Sequence, residues 1–323
     1  MAKVNSAVGI EYNSHEIRAV ELTKGVDGSI SVVSFGKERL KENIINDGII
    51  SDPNLFAQAI GNLFAVNKIK ANVPIVLGVN NENVIMRYAT LPKVPEDKLR
   101  DAILMQAQDF IPVPINELTL DFINIDETVD DDDQPALNIM LVGARNTMIQ
   151  NLLQSFSDGK MTVVDIDSAF LAWVRKAIEE AGEDEAFGYF ALTDDVLNFV
   201  AIDNKNIKMV RSINIPDRAT ADVKKVFNNS SEMADSEIEN VVDLLYTELS
   251  SSINYFQMQT GIALSKICFK VISRREEQLC EMLNQKSYIP LEIPKYYQEF
   301  ATEEFRPANY VGCIELAKIA LEG

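Results

Sequence analysis

The sequence is poor in the residues that build metal centres, disulfides and histidine-based catalysis. It contains a single histidine, His15, and three cysteines that lie far apart, at Cys268, Cys280 and Cys313. Metal sites and disulfide frameworks draw on closely spaced Cys and His residues, so neither is expected, and unpaired cysteines fit a reducing compartment. A lone imidazole also leaves little for general acid–base catalysis by histidine.

The sequence also lacks long apolar runs and an apolar leader. No window reaches the roughly 18 continuous apolar residues of a membrane-spanning helix, and the opening residues, MAKVNS, lead directly into a strand-like segment. We therefore expect a cytoplasmic protein without direct membrane insertion.

Positive charge is scarce. The chain has 30 Lys and Arg against 49 Asp and Glu, a formal net charge of −19 at pH 7. Such a field repels nucleic acids and anionic lipid headgroups, and it opposes ATP unless local donors compensate. Part of the excess lies in residues 126–133, DETVDDDD, which we interpret as a solvated hairpin loop. Calcium binding is the alternative, although the spacing lacks the glycine of an EF-hand.

The residues that are present predict an α/β protein of two similar halves. The 323 residues suit two units of roughly 150 residues each, and an apolar content of 47% supplies their cores. Strand-like runs at 7–12, 17–22 and 28–35 form a meander. A second meander at 187–215 follows the charged linker 179–185, so the chain is predicted to repeat one architecture.

The stretch from Leu91 to Phe122, LPKVPEDKLRDAILMQAQDFIPVPINELTLDF, organises the first half. Pro95, Glu96 and Asp97 start a helix, because Pro fits a first turn and acidic side chains complement the positive end of the helix dipole. The run IPVP at 111–114 ends that helix in a proline-stiffened apolar corner. Two interpretations stay open: the corner only fixes a turn, or it displays rigid apolar groups to a partner.

This stretch resembles the signature of the PilM family, the cytoplasmic, FtsA-like actin-fold proteins of type IV pilus assembly. The matching positions are Leu91, Pro92, Pro95, Leu99, Ala102, Ile103, Gln106, Ala107, Phe110, Ile111, Pro112, Val113 and Pro114. The segment 8–22, VGIEYNSHEIRAVEL, resembles the first hairpin of the same family. The resemblance implies an actin-like ATPase fold, in which duplicated ribonuclease-H-like halves carry an inserted α/β subdomain.

The resemblance also implies the bounds of these units. The first actin-like half covers 1–185 and carries the inserted subdomain at about 86–156. The second half covers 186–308, with an upper insert at about 213–262, and a C-terminal helix at 309–323 returns to the first half.

The residues that hold a nucleotide in this family are changed here. Actin-like ATPases cradle phosphates on glycine-containing hairpin turns, whose backbone N–H groups form anion nests. At the first turn the family's acidic residue is Glu11, and its glycine is Asn13, followed by Ser14. Asn tolerates the left-handed conformation of such a turn, but its side chain occupies space that a phosphate needs.

The other nucleotide positions also depart from the family pattern. At the second turn Ala191 replaces the glycine, and Asp194 and Asp195 place negative charge where phosphate is expected. The glycine pair of the adenosine motif corresponds to Ser273 and Arg274, whose side chains would fill the purine slot. The degenerate nucleotide site comprises Glu11, Asn13, Ser14, Thr193, Asp194, Asp195, Ser273 and Arg274. We expect no resident cofactor and at most weak binding of Mg-ATP.

The resemblance implies a scaffold at the inner-membrane assembly platform of a type IV pilus or of a related secretion or competence machine. Its implied partner is a PilN-like bitopic membrane protein, whose N-terminal peptide docks in a groove beside the inserted subdomain. Other pilus assembly components are further implied partners, and a homo-oligomer stays open. The predicted partner-binding residues are Leu91, Pro92, Phe110, Ile111, Pro112 and Pro114.

Two alternatives compete with the scaffold. An active actin-fold ATPase would use Glu11 with Asp194 or Asp195 to handle Mg²⁺, and an FtsA-like protein would tether itself to the membrane through a C-terminal helix. The sequence contains no P-loop, nucleophile elbow or H-E-x-x-H motif. We therefore assign no catalytic residue and no metal ligand, and we expect no enzymatic activity.

Overall fold

Fifteen strands and eight α-helices make up the part of the chain that the structure describes. The structure is a computed structural model, and it describes residues 5–130, 132–193, 195–228 and 232–322. The strands are β1 (Ser6–Tyr12), β2 (Glu16–Lys24), β3 (Ile30–Arg39), β4 (Ile45–Asn46), β5 (Ile49–Ile50), β6 (Ile75–Val79), β7 (Val84–Pro92), β8 (Leu118–Val129), β9 (Pro135–Arg145), β10 (Val163–Ser168), β11 (Ala186–Leu192), β12 (Val196–Asp203), β13 (Asn206–Asn214), β14 (Ile267–Val271) and β15 (Leu291–Glu292). The helices are α1 (Pro53–Asn67), α2 (Glu96–Phe110), α3 (Asn146–Asp158), α4 (Ala169–Glu180), α5 (Asp217–Phe227), α6 (Asp235–Thr260), α7 (Glu276–Lys286) and α8 (Val311–Glu322).

Each half is built on a five-stranded mixed sheet with an equivalent strand order. In the first sheet the order is β10-β6-β1-β2-β3, with β1, β2 and β3 antiparallel and β10, β6 and β1 parallel. In the second sheet the order is β15-β14-β11-β12-β13, and a meander is again followed by parallel strands. The duplication expected from the two meanders is present, and it places the β1–β2 and β11–β12 turns at equivalent positions of the two halves.

Helices cover both faces of the first sheet, which explains its continuous apolar strands. Strand β6, for example, is buried along its whole length, as expected of a parallel strand with helices on both sides. One face packs against α1 and α3, and the other packs against α4 and α8. Helix α1 begins at Asp52, whose side chain accepts a hydrogen bond from the backbone N–H of Leu55 at 3.0 Å.

The inserted subdomain is a three-stranded antiparallel sheet, β7-β9-β8, covered by α2. Its small core includes Leu99 and Ile103 of α2. Helix α3, which the predicted bounds placed in this subdomain, belongs instead to the first half, where Met148, Leu152 and Phe156 share a core with α1. The chain leaves the subdomain at the end of β9, and α3 starts at the very next residue.

Helix α8 packs directly on β1, backbone against backbone. A Cβ placed on Gly9 would lie 1.9 Å from the carbonyl oxygen of Cys313. A Cβ placed on Gly312 would lie 2.0 Å from Oε1 of Glu11 and 2.5 Å from Nε1 of Trp173. Gly9 therefore excludes any side chain, because the atoms around it belong to the backbone of α8, and this lets α8 return to the first half at a short distance. A side chain at Gly312 would have to displace the side chains of Glu11 and Trp173.

We expect Gly9→Ala to destabilise the protein by about 3 kcal/mol, because the added methyl group meets backbone atoms that cannot rotate away. The matched control is Gly61→Ala, since Gly61 is exposed on α1 and a Cβ there meets nothing within 4 Å. This control should gain about 0.5–1 kcal/mol, because glycine is a poor helix former. Urea unfolding followed by circular dichroism measures both free energies. Wild-type stability of Gly9→Ala would show that α8 does not make this contact in solution.

Candidate functional site

The turns of the two halves meet at a cleft between the two sheets. The first turn, residues 13–15, joins β1 to β2, and the second turn, residues 193–195, joins β11 to β12. We call the small cavity between them the turn pocket; it is lined by Glu11, Tyr12, Asn13, Arg18, Asn80, Ala169, Trp173, Leu192, Thr193, Phe227 and Ile272. The structure thus brings together predicted nucleotide residues from both turns. Asp194, also predicted there, lies outside the described residues.

The first turn satisfies its own backbone donors. Oδ1 of Asn13 accepts hydrogen bonds from the N–H groups of His15 and Glu16, each at 2.9 Å. A phosphate nest needs such N–H groups to point at an anion rather than at a side chain of the same turn. Asn13 does not take the left-handed conformation that its residue type allows. The turn is therefore stabilised by the side chain of Asn13 and not by a left-handed backbone conformation at this residue.

Thr193 plays the same part in the second turn. Its Oγ1 accepts a hydrogen bond from the N–H of Val196 at 3.2 Å and lies 3.0 Å from Oδ1 of Asp195. Oδ2 of Asp195 accepts a hydrogen bond from the backbone N–H of Glu82 at 3.4 Å, which crosses from one half to the other. The polar groups of this turn therefore stabilise the protein's own structure.

The turn pocket is too small for a phosphate chain. Its volume of about 20 Å³ is room for about one water molecule. Phe227, at the end of α5, closes one side and stacks on His15 of the first turn, with the ring centroids 6.4 Å apart. The turn pocket therefore leaves no space for ATP.

Glu11 is buried beneath α8. The residue is 3% exposed, its Oε2 lies 3.5 Å from Sγ of Cys313, and its Oε1 has no hydrogen-bond partner among the described residues. Burial raises the pKa of the Glu11 carboxyl above its ordinary value, and the nearby Arg18 guanidinium counters part of that rise. A carboxyl enclosed in this way is poorly placed to hold Mg²⁺ for an ATPase.

A larger cleft beside the turn pocket carries the wrong charge for a polyphosphate. This acidic cleft has a volume of about 190 Å³, and its lining includes Asp47, Glu82, Asp195 and Asp217 against one cation, Lys224. Burial raises the pKa of Glu82, and the charge of Asp47 adds to that rise. Within the described ranges, no group of three or more Cys, His, Asp or Glu side chains is arranged to hold a metal ion.

Buried asparagines join the two halves at these cavities, and sequence reasoning missed them. Nδ2 of Asn198 on β12 donates to Oδ1 of Asn80 at 2.8 Å, and Oγ of Ser212 donates to Oδ1 of Asn198 at 2.8 Å. Asn80 is 8% exposed and Asn198 is 1% exposed. Asn80 directly follows β6, and a polar residue at the carboxyl end of a buried parallel strand was the signal that could have identified it.

The adenosine-motif positions contact α5. Oγ of Ser273 donates to the carbonyl oxygen of Val226, and Nη1 of Arg275 lies 3.5 Å from the carbonyl oxygen of Lys225. These contacts hold the start of α7 against the end of α5. Arg274 lines neither the turn pocket nor the acidic cleft; it faces a separate cavity described below.

The proline-stiffened corner supports the inserted subdomain from within. Leu91 is 3% exposed and Ile111 is 1% exposed, and both belong to its core. The exposed or half-buried members of the predicted set are Pro92, Phe110, Pro112 and Pro114. Leu91 and Ile111 are therefore out of reach of a partner, and for these two residues the interpretation that the corner fixes a turn fits the structure better.

An apolar groove of about 260 Å³ lies beside the inserted subdomain, and sequence reasoning missed its residues. We call it the insert groove; it is lined by Ile123, Asn124, Ile125, Met140, Leu171, Val174, Arg175, Ile178, Lys205, Asn206 and Ile207. Strand β8 is an edge strand, and three consecutive residues of it line the groove. A β-bulge between Asn124 and Asp126 interrupts the alternation of side chains along this run, and the second edge of β8 has no partner strand among the described residues. The outward-facing Ile123, 44% exposed, was the available sequence signal.

Glu11→Gln should stabilise the protein at neutral pH. A pKa raised above the unfolded value of 4.5 means that the folded state holds the Glu11 proton more tightly, so ionisation of Glu11 costs stability as the pH rises above 4.5. The gain of the variant should be smallest at acidic pH and should grow as the pH rises above 4.5, because only the ionised carboxyl opposes folding. Urea unfolding across this range measures it, with the exposed Glu42→Gln as control. A variant less stable than wild type at every pH would contradict a buried, poorly compensated carboxyl.

Comparison with known proteins agrees with this architecture. The family described as type IV pilus assembly protein PilM matches residues 9–244. A chain of a solved PilM–PilN type IV pilus biogenesis complex is 18% identical, with 99% of this chain and 100% of that chain covered, at a TM-score of 0.81. The ethanolamine utilization protein EutJ from Carboxydothermus hydrogenoformans is 9% identical, with 98% and 90% covered, at a TM-score of 0.51.

A Bacteroides thetaiotaomicron protein with an actin-like ATPase fold and unknown function is 9% identical, with 98% and 96% covered, at a TM-score of 0.50. These likenesses confirm the actin-like fold expected from the sequence. In the part of the chain that the structure describes, no helix has both the length and the apolarity to cross a membrane. Since the family match extends over well more than half of the sequence, this protein belongs to the family of the type IV pilus assembly protein PilM.

Proposed function

We propose that this protein is a non-catalytic scaffold of the assembly platform of a type IV pilus or of a related secretion or competence machine. Its family and its likeness, along nearly the whole chain, to a subunit of a PilM–PilN complex support the scaffold role. The absence of catalysis rests on one observation: the turn pocket of about 20 Å³, whose donors are used by Asn13. The scaffold would lie in the cytoplasm and reach the inner membrane through its partner.

The proposed ligand of the insert groove is the N-terminal cytoplasmic peptide of a PilN-like membrane protein. An extended peptide can add to the free edge of β8 through main-chain hydrogen bonds, while its apolar side chains enter the groove. Ile178 of α4 and Ile207 of β13 are half-buried and give the groove a rigid apolar wall, because both pack against the core that contains Leu171 and Val174. A preformed wall binds at a lower ordering cost than a flexible loop.

A polar anchor for such a peptide is also present. Nη2 of Arg175 is buried and has no hydrogen-bond partner among the described residues, while Nη1 pairs with Asp167 at 2.7 Å. An unused buried donor is costly, and a peptide carbonyl or side-chain amide would satisfy it. The groove thus combines an open strand edge, an apolar wall and one oriented donor.

The proline-stiffened corner would act on this site indirectly. Ile111 packs in the same core as Leu118 and Leu120 at the start of β8, so it holds the strand whose later residues form the groove. Direct contact of the peptide with Pro112 and Pro114 is a separate proposal, which the assay below also tests.

The membrane-tether alternative finds no support in the C-terminal helix. The apolar side chains of α8 are buried or half-buried against β1 and α4. This helix is therefore part of the first half's core and not an apolar face available to a bilayer.

Ile123→Asp should abolish peptide binding while leaving the melting temperature near that of wild type, because Ile123 is 44% exposed. The matched control is Val129→Asp, on the same strand, 57% exposed and outside the groove. Fluorescence polarisation with a labelled peptide of the partner's first residues should show at least about tenfold weaker binding to Ile123→Asp, equivalent to about 1.4 kcal/mol.

Pro112→Asp distinguishes the groove from the corner. Lost binding in Pro112→Asp together with intact binding in Ile123→Asp would move the peptide site to the corner. Ile111→Asp is unsuitable as a test, because a charge at a residue that is 1% exposed should unfold the subdomain.

Mg-ATP should bind more weakly than about 1 mM, which corresponds to no more than about 4 kcal/mol of binding free energy. At about that concentration it should add less than about half a kcal/mol to the stability, measured by thermal unfolding. The companion variant Asn13→Gly frees the N–H groups of His15 and Glu16, so improved ATP binding there would identify Asn13 as the obstacle. A clear thermal shift of the wild-type protein at tens of micromolar Mg-ATP would favour the active ATPase instead.

A further inference from the structure

A cavity of about 640 Å³ lies between the meander of the first half, the start of α7 and the chain segment 293–310. We call it the basic cavity; its charged lining residues are Glu16, Arg18, Lys37, Arg274, Glu276, Glu277, Lys295 and Arg306. Five of these are cationic and three are acidic, a net charge of +2 in a chain whose formal net charge is −19. The cavity thus reverses the sign of the charge that dominates the rest of the protein.

Arg18 is the buried anchor of this cavity. It is 4% exposed, and its Nε donates to Oε1 of Glu16 at 2.7 Å. The described residues offer no hydrogen-bond acceptor to either Nη atom. A guanidinium with free Nη donors matches the two oxygens of a carboxylate, and burial strengthens such a charge-assisted pair.

Two of the three acidic residues are already paired. Glu16 lies 3.5 Å from Nζ of Lys37 in addition to its contact with Arg18. Glu276 lies 3.1 Å from the buried Nζ of Lys270. By contrast, Lys295 and Arg306 are exposed and have no ion-pair partner within the described ranges.

The floor of the cavity is aromatic. Phe305 and Tyr310 line it, with ring centroids 5.3 Å apart, and Phe35 of β3 supports Phe305 at 4.4 Å. Both rings are buried, with Phe305 2% and Tyr310 7% exposed, so they stiffen the floor without offering apolar surface to a ligand. A compact polyphosphate fits poorly, because the carboxylates of Glu276 and Glu277 border the same space and repel it.

We propose that the basic cavity binds a short acidic segment of a partner protein. One carboxylate pairs with Arg18, and others pair with Lys295 and Arg306 at the rim. Charge complementarity favours this occupant, since most other surfaces of this acidic protein repel it. The site shares no residue with the insert groove, so the proposal does not depend on the peptide assigned to that groove.

The test uses a fluorescein-labelled peptide, Asp-Leu-Asp-Leu-Glu, and its neutral counterpart, Asn-Leu-Asn-Leu-Gln, with the full chain. The acidic peptide should bind and the neutral one should not. Arg306→Gln, at an exposed position, should weaken binding at least about tenfold. The control Arg100→Gln removes the same charge from the exposed surface of α2 and should bind like wild type. Arg18→Gln should lose binding more completely, and Ile123→Asp should bind normally.

Four outcomes would overturn the proposal. The acidic peptide could fail to bind at about 1 mM, or Arg306→Gln could bind it as tightly as Arg100→Gln. Displacement of the peptide by micromolar inorganic pyrophosphate would assign the cavity to small polyanions. Sedimentation velocity that shows a dimer dissolved by the peptide would assign it to a second copy of this chain.

Discussion

The approach of α8 to β1 is the contact on which the arrangement of the cleft depends. It is a contact between two backbones, and it exists because Gly9 contributes no Cβ, while Gly312 leaves room for the side chains of Glu11 and Trp173. Gly78 on β6 extends the same seam, since a Cβ there would lie 2.5 Å from Leu316 of α8. A helix pressed this closely on the sheet encloses Glu11 and sets the position of the first turn, because that turn directly follows β1. The geometry of the cleft is thus determined by residues that have no side chain at all.

The residues predicted to form a degenerate nucleotide site are hydrogen-bonded to the protein itself. Asn13 and Thr193 bond the N–H groups of their turns, and Ser273 bonds the end of α5. In each case the hydrogen-bond partner is another group of the protein, so the polar backbone groups of these segments are satisfied internally. These intramolecular hydrogen bonds therefore stabilise the two turns and the contact between α5 and α7.

The architecture could be predicted from the sequence because it repeats. Two meanders of alternating and continuous apolar runs mark two sheets, and the stretch around Pro95 and Pro112 marks the insert. The position of α3 could not be predicted, since an amphipathic helix shows that one face is covered but not by which core. The expectation for Asn13 concerned the backbone conformations that this residue tolerates. In the structure, Asn13 stabilises the turn through its side chain, which accepts hydrogen bonds from the N–H groups of the same turn. The insert groove could not be predicted from the sequence, because its residues come from three stretches that are distant in the chain. Hydrophobic periodicity describes only one stretch at a time.

The insert groove has walls from all three units of the molecule: β8 of the inserted subdomain, α4 of the first half and the β12–β13 turn of the second half. The ion pair of Lys208 on β13 with Asp126 on β8, at 2.8 Å, crosses the same junction. A peptide bound in the groove would contact all three units at once. Its affinity would therefore depend on the free energy of keeping the three units in this arrangement. Because such coupling is reciprocal, binding of the peptide would stabilise the junction by the same free energy by which the assembled junction increases the affinity for the peptide. Mechanical load applied through a bound peptide would accordingly be distributed over both halves rather than concentrated on one loop.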